Sequence, residues 1–234
     1  MQITWFGHAT FRLDFGGKAV LIDPFLTGNP VFTGDRAEAI KNVSHVLITH
    51  GHFDHVGDTL DIAKANKATV TANYDLGMWL VSKGLPMEQF NPMSIGGTTD
   101  LDGFSVSMVR AEHGSGHMDG DVSVYLGPAA GIIVTAPGEP TVYHLGDTDV
   151  YSDMALTAEL FAPKVAIVPI GDRVTMGAKG AALAVNRFLK VDTVVPCHYG
   201  SFPFIAPNAD KFLAEMKGHP AKVIVADVGK PFKV

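Results

Sequence analysis

The sequence predicts an α/β protein with a four-layer α/β/β/α sandwich, in which two sheets pack face to face between outer helices. Three observations predict this architecture. Short apolar or alternating patterns typical of strands dominate the opening, strand and helix patterns alternate from Ser44 onward, and the second half repeats this progression. Residues 1–234 are expected to form a single domain, because 47% hydrophobic content can fill a large core and no flexible linker divides the chain.

Each element follows from its local pattern. The opening predicts antiparallel strands at 2–6, 10–15 and 18–22, with a Gly16-Gly17 turn before the third. The next block predicts strands followed by helices, with strands at 45–49 and 68–72 and helices at 57–66 and 74–83. The middle predicts strands at 104–111, 121–127, 132–136 and 141–145. The closing block predicts alternating elements, with strands at 164–170, 193–197 and 222–226 and helices at 178–190 and 208–217.

The most informative motif is His50-Gly51-His52-Phe53-Asp54-His55, which follows directly on the strand predicted at 45–49. Neutral imidazole nitrogen and ionised carboxylate oxygen suit zinc and its first-row neighbours. Residues i and i+2 of an extended segment point to the same side, so His50 and His52 are expected to reach one ion. Asp54 and His55 lie where the chain turns toward a helix and could face a second ion. The motif therefore predicts two metal ions sharing one loop.

Three other predicted strand ends carry side chains of the kinds that bind metals. His113 follows the strand at 104–111, Asp147 follows the strand at 141–145, and His198 follows the strand at 193–197. Strand ends are rigid supports, which a metal needs if its coordination geometry is to be held. The sequence therefore predicts that these residues join the site.

These motifs resemble those of the metallo-β-lactamase superfamily, whose members carry H-x-H-x-D-H and then a His, an Asp and a His in that order. Further segments narrow the resemblance to predicted metal-dependent hydrolases related to L-ascorbate-6-phosphate lactonase, over nearly the whole chain: Trp5-Phe6-Gly7-His8-Ala9-Thr10, Ile22-Asp23-Pro24, Pro169-Ile170-Gly171-Asp172, Thr175-Met176-Gly177 and Pro196-Cys197-His198-Tyr199-Gly200. The chain departs from the family's pattern at Ala178-Lys179-Gly180, where members usually have acidic residues, and this departure concerns the substrate rather than the metals.

The resemblance implies a metallo-β-lactamase-like fold and a dinuclear centre. It implies that the first metal is held by His50, His52 and His113, that the second is held by Asp54, His55 and His198, and that Asp147 bridges both. A water shared by two ions loses its proton near neutral pH, and the hydroxide would attack the carbonyl or phosphorus of an ester, lactone or phosphodiester. Asp54 is the expected catalytic residue, because its carboxylate can orient that nucleophile. Zinc is the first expectation for the metal, followed by manganese and iron.

His8 and Asp23 are the expected substrate-binding residues, and each has a structural alternative. His8 follows the first predicted strand, where a hydrogen-bonding role within the fold explains it equally well. Asp23 ends the strand at 18–22 before Pro24, where a carboxylate could instead support a metal ligand or form a turn.

Four further side chains have less specific interpretations. Arg173 is an anion contact if the substrate carries phosphate, and otherwise a surface charge. His117 is expected in a solvent-exposed loop, and the single cysteine, Cys197, as a small buried side chain. Phe202, in an aromatic and proline cluster after His198, is expected to fill the core, with an apolar wall of the site as the alternative.

The composition of the chain argues against nucleic acid and membranes as its partners. A formal net charge of −6 provides no basic footprint for nucleic acid, and no run of eighteen apolar residues predicts a membrane span. The first residues lack the charged-then-apolar pattern of a signal peptide, so the expected compartment is the cytoplasm. The expected partner is a small-molecule substrate, and surface helices are compatible with a homo-oligomer.

Two other functions fit the same fold. The first is an iron-dependent oxidoreductase of the persulfide dioxygenase type. Related di-iron flavoproteins commonly have Glu where this chain has His52, and this difference argues against a di-iron oxidoreductase. The second is a ligand-binding protein without turnover, against which the complete set of seven metal-ligand side chains argues. Oxygen uptake, iron content and the effect of replacing Asp54 separate these functions from a hydrolase.

Overall fold

The computed structural model describes all 234 residues. Its strands are β1 (Gln2–Trp5), β2 (Phe11–Phe15), β3 (Lys18–Ile22), β4 (His45–Leu47), β5 (Thr69–Asn73), β6 (Phe90–Met93), β7 (Thr98–Leu101), β8 (Phe104–Arg110), β9 (Gly116–Asp119), β10 (Val122–Tyr125), β11 (Ala130–Thr135), β12 (Val142–His144), β13 (Val165–Pro169), β14 (Thr193–Cys197), β15 (Lys222–Val223) and β16 (Pro231–Lys233). Its α-helices are α1 (Arg36–Ala39), α2 (Phe53–Val56), α3 (Thr59–Asn66), α4 (Tyr74–Ser82), α5 (Met154–Phe161), α6 (Ala178–Ala184) and α7 (Asp210–Glu215).

Two seven-stranded sheets form the framework. The first has the order β16-β1-β2-β3-β4-β5-β6, and the second has the order β15-β14-β13-β12-β11-β8-β7. Pairing is antiparallel from β16 to β3 and parallel from β3 to β6. The second sheet repeats this change, with antiparallel pairing from β7 to β12 and parallel pairing from β12 to β15. The predicted α/β architecture with two sheets is confirmed.

The layering follows from the alternation of side chains along the strands. In β3, Val20 and Ile22 belong to the large core between the sheets, whereas Ala19 and Leu21 belong to a smaller core. That smaller core also contains Ile62 of α3 and therefore lies between the first sheet and its helices. Because successive residues of a strand point to opposite faces, one apolar strand can serve two cores. The continuous apolar pattern of β3 is explained by this double burial.

The second sheet is covered on both faces as well. Every residue of β13 is buried, and Val165, Ile167 and their neighbours pack in the large core. Ala181 and Val185, from α6 and the π-helical turn that continues it at Val185–Leu189, belong to the same core. Small alanine side chains on α6 let the helix lie close to the sheet.

Some predicted elements are divided or shortened in the structure. The helix predicted at 57–66 is α3, which begins only at Thr59, because the chain turns at Gly57 and the Asp58 carboxylate accepts hydrogen bonds from the backbone amides of Leu26 and Thr27. The short helix α2 precedes that turn and was not predicted. The helix predicted at 178–190 is α6 plus the π-helical turn, and the one predicted at 208–217 spans α7 only. The strand predicted at 222–226 is reduced to β15.

The strand predicted at 121–127 belongs to neither large sheet. Its residues form β10, which pairs only with β9 in a separate hairpin. Val122 and Tyr125 are exposed, so the apolar pattern did not signal a core strand here. The sequence pattern also gave no prediction of α1, α5, β6, β7, β9 and β16, which are short or have weak periodicity. No helix of the structure has the length and apolar composition needed to cross a membrane.

One helix packs so closely on the first sheet that it requires glycine. A Cβ atom on Gly77 of α4 would lie 1.9 Å from two ring atoms of Phe90. Replacing Gly77 with Ala should therefore lower the free energy of unfolding by about 1–2 kcal/mol, because overpacking outweighs the gain of about 1 kcal/mol in helix propensity. Urea denaturation measures this change.

The matched control is Gly180→Ala in α6. A Cβ there would lie 3.6 Å from its nearest neighbour, Met176, which is ordinary contact. We expect Gly180→Ala to be neutral or to stabilise the protein by up to about 1 kcal/mol. Equal stability of the two variants would contradict the close packing of α4 on Phe90.

Candidate metal centre

Asp147 lies at the centre of the histidines that the sequence analysis singled out. Its Oδ2 atom is 2.9 Å from Nε2 of His198, 3.3 Å from Nε2 of His55, 3.6 Å from Nε2 of His113 and 4.0 Å from Nε2 of His50. These residues follow strands of both sheets, at the edge of the sandwich where the parallel strands end. The structure thus brings together all the side chains predicted to bind metal, including His52 and Asp54.

Three imidazoles form one group of donors. Nε2 of His50 lies 2.9 Å from Nδ1 of His52, which lies 3.3 Å from Nε2 of His113. Ligand nitrogens about 2.0–2.1 Å from a tetrahedral zinc ion would be about 3.3 Å apart. One proton cannot bridge three nitrogens, whereas one cation can bind all three. This group fits a metal ion.

A second group of donors lies on the other side of Asp147. It contains Asp54, His55 and His198, with ligand atoms within 4.8 Å of one another, and His8 lies among them. Three of the four side chains are buried, and Asp54 is half-buried. The grouping matches the second metal set that the family resemblance implies, with His8 as an additional member that the resemblance did not assign as a ligand.

A network behind the imidazoles determines which nitrogen atoms face the site. The Thr49 hydroxyl donates to Oδ2 of Asp23 at 2.7 Å, so its oxygen accepts from Nδ1 of His50 at 2.9 Å. Nδ1 of His55 donates to the same Asp23 oxygen at 2.8 Å. Both histidines therefore use Nδ1 in this network and direct Nε2 toward the site. Carboxylates that orient metal-binding histidines in this manner are common in metalloproteins.

The chemistry of the unpartnered atoms fits a metal ion. Nε2 of His55, Oδ1 of Asp147 and both ring nitrogens of His198 are buried without a hydrogen-bond partner. Nε2 of His198 is near Asp147 but is not oriented for a hydrogen bond. Buried polar atoms without partners are costly, and a cluster of them needs a compensating group. A divalent cation is the group that lone pairs of this kind would bind.

The electrostatics differ between the histidines of the site. Burial lowers the pKa of His55, but the Asp147 and Asp23 carboxylates outweigh it and hold the pKa well above its usual value. At His50, by contrast, burial together with His55 holds the pKa well below its usual value. A metal ion and a proton compete for the same nitrogen lone pair. The attraction of Asp147 for a proton on His55 is therefore equally an attraction for a cation.

His8 holds the Asp54 carboxylate in place. Its Nε2 lies 2.9 Å from Oδ2 of Asp54, and its Nδ1 lies 2.6 Å from the hydroxyl of Ser201. Burial lowers the pKa of His8 to about 4, against the raising effect of Asp54, so the ring is neutral near pH 7. A neutral ring donates at one nitrogen and accepts at the other. Donation to the ionised Asp54 leaves Nδ1 to accept from Ser201.

The structure does not place His8 and Asp23 on the surface of the cavity at the site, where a substrate-binding residue is expected. Both side chains are completely buried, and neither lines the cavity at the site. Asp23 supports His55 and Thr49, which was the alternative considered for it, and His8 supports Asp54. Thr49 and Ser201 were missed. Their only signal in the sequence was the adjacency of Thr49 to His50 and the nearness of Ser201 to His198.

A cavity of about 290 Å³ opens onto the metal-binding side chains. Its polar lining consists of His52, Asp54, His113, Asp147 and His198, and its apolar lining consists of Phe53, Val174, Phe202 and Phe204. Phe53 is 60% exposed and Phe204 is 48% exposed, so these rings form the mouth of the cavity. The expectation that Phe202 fills the core is wrong, and the alternative of an apolar wall is correct.

The remaining predictions have mixed outcomes. Cys197 is buried, as expected, and burial raises the pKa of its thiol well above the usual value. His117 is half-buried rather than exposed, because its Nδ1 bonds the carbonyl of Gly51 at 2.9 Å and its ring packs on Trp79. Arg173 does not line the metal-binding cavity and stacks on Phe204, 5.9 Å from the ring centre.

Comparisons with known proteins agree with this fold. A family profile described as Beta-lactamase superfamily domain matches residues 18–199. A relative from Azorhizobium caulinodans, named UPF0173 metal-dependent hydrolase, is 59% identical over all of both chains. Igni18, a metallo hydrolase from the archaeon Ignicoccus hospitalis, is 33% identical with a TM-score of 0.87, covering 100% of this chain and 98% of that chain. An isothiocyanate hydrolase from Delia radicum gut bacteria shares the fold. It is 21% identical with a TM-score of 0.77, and the match covers 100% of this chain and 99% of that chain.

The support that Asp23 gives to the histidines can be tested by Asp23→Asn. An amide group facing Nδ1 of His55 would favour the other tautomer, which places a proton on Nε2 where the metal binds. We expect zinc affinity to fall by about 10–100-fold, as measured by competition with a chromophoric chelator. Asp149→Asn, on an exposed aspartate two residues from Asp147, is the control and should bind zinc normally. Unchanged affinity in a folded Asp23→Asn variant would refute the role of Asp23.

Proposed function

The chain belongs to the metallo-β-lactamase superfamily, and on that premise we propose that it is a dinuclear metal-dependent hydrolase of small esters or lactones. His50, His52 and His113 would hold one ion, Asp54, His55 and His198 would hold the other, and Asp147 would lie between both. Zinc fits these nitrogen and carboxylate donors best, and manganese or iron are the alternatives. Two divalent ions, when bound, would ionise a water molecule near neutral pH and neutralise charge that develops on the substrate oxygen.

One observation carries the proposal. The imidazoles of His50 and His55 are held by Thr49 and Asp23 through Nδ1, so that Nε2 of each ring is directed toward Asp147. A purely structural cluster of histidines would use those nitrogens in hydrogen bonds, but Nε2 of His55 has none. The arrangement supports metal binding rather than a packing role.

Asp54 is the residue best placed to act on the substrate and its nucleophile. It lines the cavity, and only its Oδ2 atom is occupied by the hydrogen bond from His8. Burial raises the pKa of Asp54, but the hydrogen bond from His8 and the nearby His55 hold it below its usual value. The carboxylate is therefore ionised and can orient a water molecule by accepting a hydrogen bond from it.

The walls of the cavity favour a neutral scissile group. No lysine or arginine lines the cavity, and Phe53, Phe202, Phe204 and Val174 supply most of its surface away from the metal-binding residues. Phe202 and Phe204 stack with their rings 5.5 Å apart and nearly parallel. An ester or lactone carbonyl with apolar neighbours fits these walls.

The test is elemental analysis of the purified protein together with a hydrolase panel. The panel contains nitrophenyl esters, lactones, thioesters and bis-nitrophenyl phosphate. We expect two metal ions per chain, activity on esters or lactones above activity on the phosphodiester, and loss of activity after chelation that added zinc or manganese restores. Iron content with oxygen uptake, or metal-loaded protein inactive on every compound, would overturn the proposal.

Asp54→Asn tests the catalytic role. The substitution keeps the shape of the side chain but removes the negative charge that orients the nucleophile, so kcat should fall by about 100-fold or more. The control is Asp149→Asn, which removes an exposed carboxylate on the loop that carries Asp147. If Asp54→Asn keeps full activity on the best substrate of the panel, the assigned role is wrong.

His8 is proposed as a positioning residue, and its test uses a pair of variants. His8→Ala leaves Asp54 without its donor, and His8→Gln supplies an amide donor in its place. We expect His8→Ala to weaken binding of one of the two ions by about 10–100-fold and His8→Gln to recover part of that affinity. Metal content per chain at graded chelator concentration measures the effect independently of activity. Equal metal content in wild type and His8→Ala would show that His8 does not contribute to metal binding.

A further inference from the structure

A second cavity of about 330 Å³ lies beside the metal-binding cavity. We call it the side cavity and define it by Ile170, Asp172, Arg173, Phe204, Asn208 and Lys211, with further apolar residues of the 205–212 segment and Ala178 completing its walls. None of these residues except Phe204 lines the metal-binding cavity. The side cavity combines an apolar wall with two cationic side chains.

The two cavities share a wall. Phe204 lines both of them, and the consecutive residues Arg173 and Val174 line the side cavity and the metal-binding cavity respectively. The two cavities are therefore immediate neighbours at the Phe204 ring. One molecule could therefore place one end near the metal ligands and the other end near Arg173.

The loops that form the side cavity are tied to the strand ends of the site. The amide of Ala206 donates to the carbonyl of Gly171 at 2.9 Å, and the amide of Gly200 donates to the carbonyl of Ala206 at 2.8 Å. The amide of Ile170 donates to the carbonyl of Cys197, the residue before His198, at 3.0 Å. These bonds fix the side cavity relative to the metal ligand His198.

The charges in the side cavity sum to one positive charge. Arg173 and Lys211 are cationic, Asp172 is anionic, and none of the three forms an ion pair within 4.0 Å. The arginines Arg12, Arg36 and Arg110 each pair with a carboxylate, whereas the guanidinium of Arg173 stacks on Phe204 and keeps its donors free for a ligand. A net charge of one matches a carboxylate better than a doubly charged phosphate.

We propose that the side cavity binds the carboxylate at the far end of an acyl substrate whose ester or lactone group lies in the metal-binding cavity. This inference rests on the proposed function and adds a substrate class, the monoesters of dicarboxylic acids and the lactones of hydroxydicarboxylic acids. Arg173 and Lys211 bind the carboxylate, with the planar guanidinium able to donate two parallel hydrogen bonds. The rings of Phe202 and Phe204 cover the carbon chain between the two ends.

The experiment compares charged and neutral esters on the metal-loaded protein. The charged probes are monomethyl succinate, monomethyl glutarate and monomethyl adipate, and each is matched with its dimethyl ester. Calorimetric titration gives the dissociation constants, and product formation gives kcat/KM. We expect the best monoester to be preferred over its diester, and Arg173→Gln and Lys211→Gln each to lower that preference by about tenfold or more.

The control is Arg187→Gln, because Arg187 also stacks on a phenylalanine, Phe188, but lies in neither cavity. It should leave the preference unchanged. Equal losses for monoesters and diesters in the Arg173 variant, or no binding of any monoester, would overturn the carboxylate site. Monoesters that bind through Arg173 without being hydrolysed would sustain the site and refute the proposed hydrolysis, so the two failures are distinguishable.

Discussion

The site depends on one buried carboxylate, that of Asp23. It accepts hydrogen bonds from the amide and hydroxyl of Thr49 and from Nδ1 of His55, and it is completely buried. A buried carboxylate is stable only when donors satisfy it, and these donors belong to the segment that carries the metal-ligand motif. Asp23 thereby joins the end of β3 to the segment after β4 and fixes the tautomers of two histidines. If those bonds are absent, nothing directs His50 and His55 toward Asp147.

The topology explains why the chain supplies two aspartates to one place. Asp23 follows β3 and Asp147 follows β12, and these are the two strands at which each sheet changes from antiparallel to parallel pairing. The two sheets therefore place a carboxylate at corresponding positions on the same edge of the sandwich. One carboxylate supports the ligands from behind, and the other lies among them. The repeated strand pattern in the sequence thus corresponds, in the structure, to two carboxylates at equivalent positions of the two sheets.

The sequence predicted those features of the site that depend on neighbouring residues, and it did not predict those that depend on the tertiary structure. The residues His50, His52, Asp54 and His55 form a local motif, and their order relative to His113, Asp147 and His198 matched a family, so the cluster could be found without coordinates. Whether His8 and Asp23 face solvent depends on tertiary burial, which their flanking residues do not encode. The same limit explains the error at β10, where an alternating apolar pattern belongs to an exposed hairpin. Long apolar strands such as β13 were predicted well because burial on both faces leaves a continuous apolar run.

Backbone conformation gives an independent reason to regard these residues as one unit. His8, Asp23 and His198 all have positive φ, at 53°, 47° and 59°, although none is glycine. This conformation is strained for most residues and persists where surrounding bonds enforce it. The amide of His198 donates to the carbonyl of His8 at 2.9 Å, and the indole of Trp5 donates to the same carbonyl. The turns at these strand ends are thus locked to each other, which keeps the imidazole of His198 beside Asp147 and that of His8 beside Asp54. A site that must hold cations at fixed distances needs such rigidity, and here the strain falls on the three residues whose side chains lie within or directly behind it.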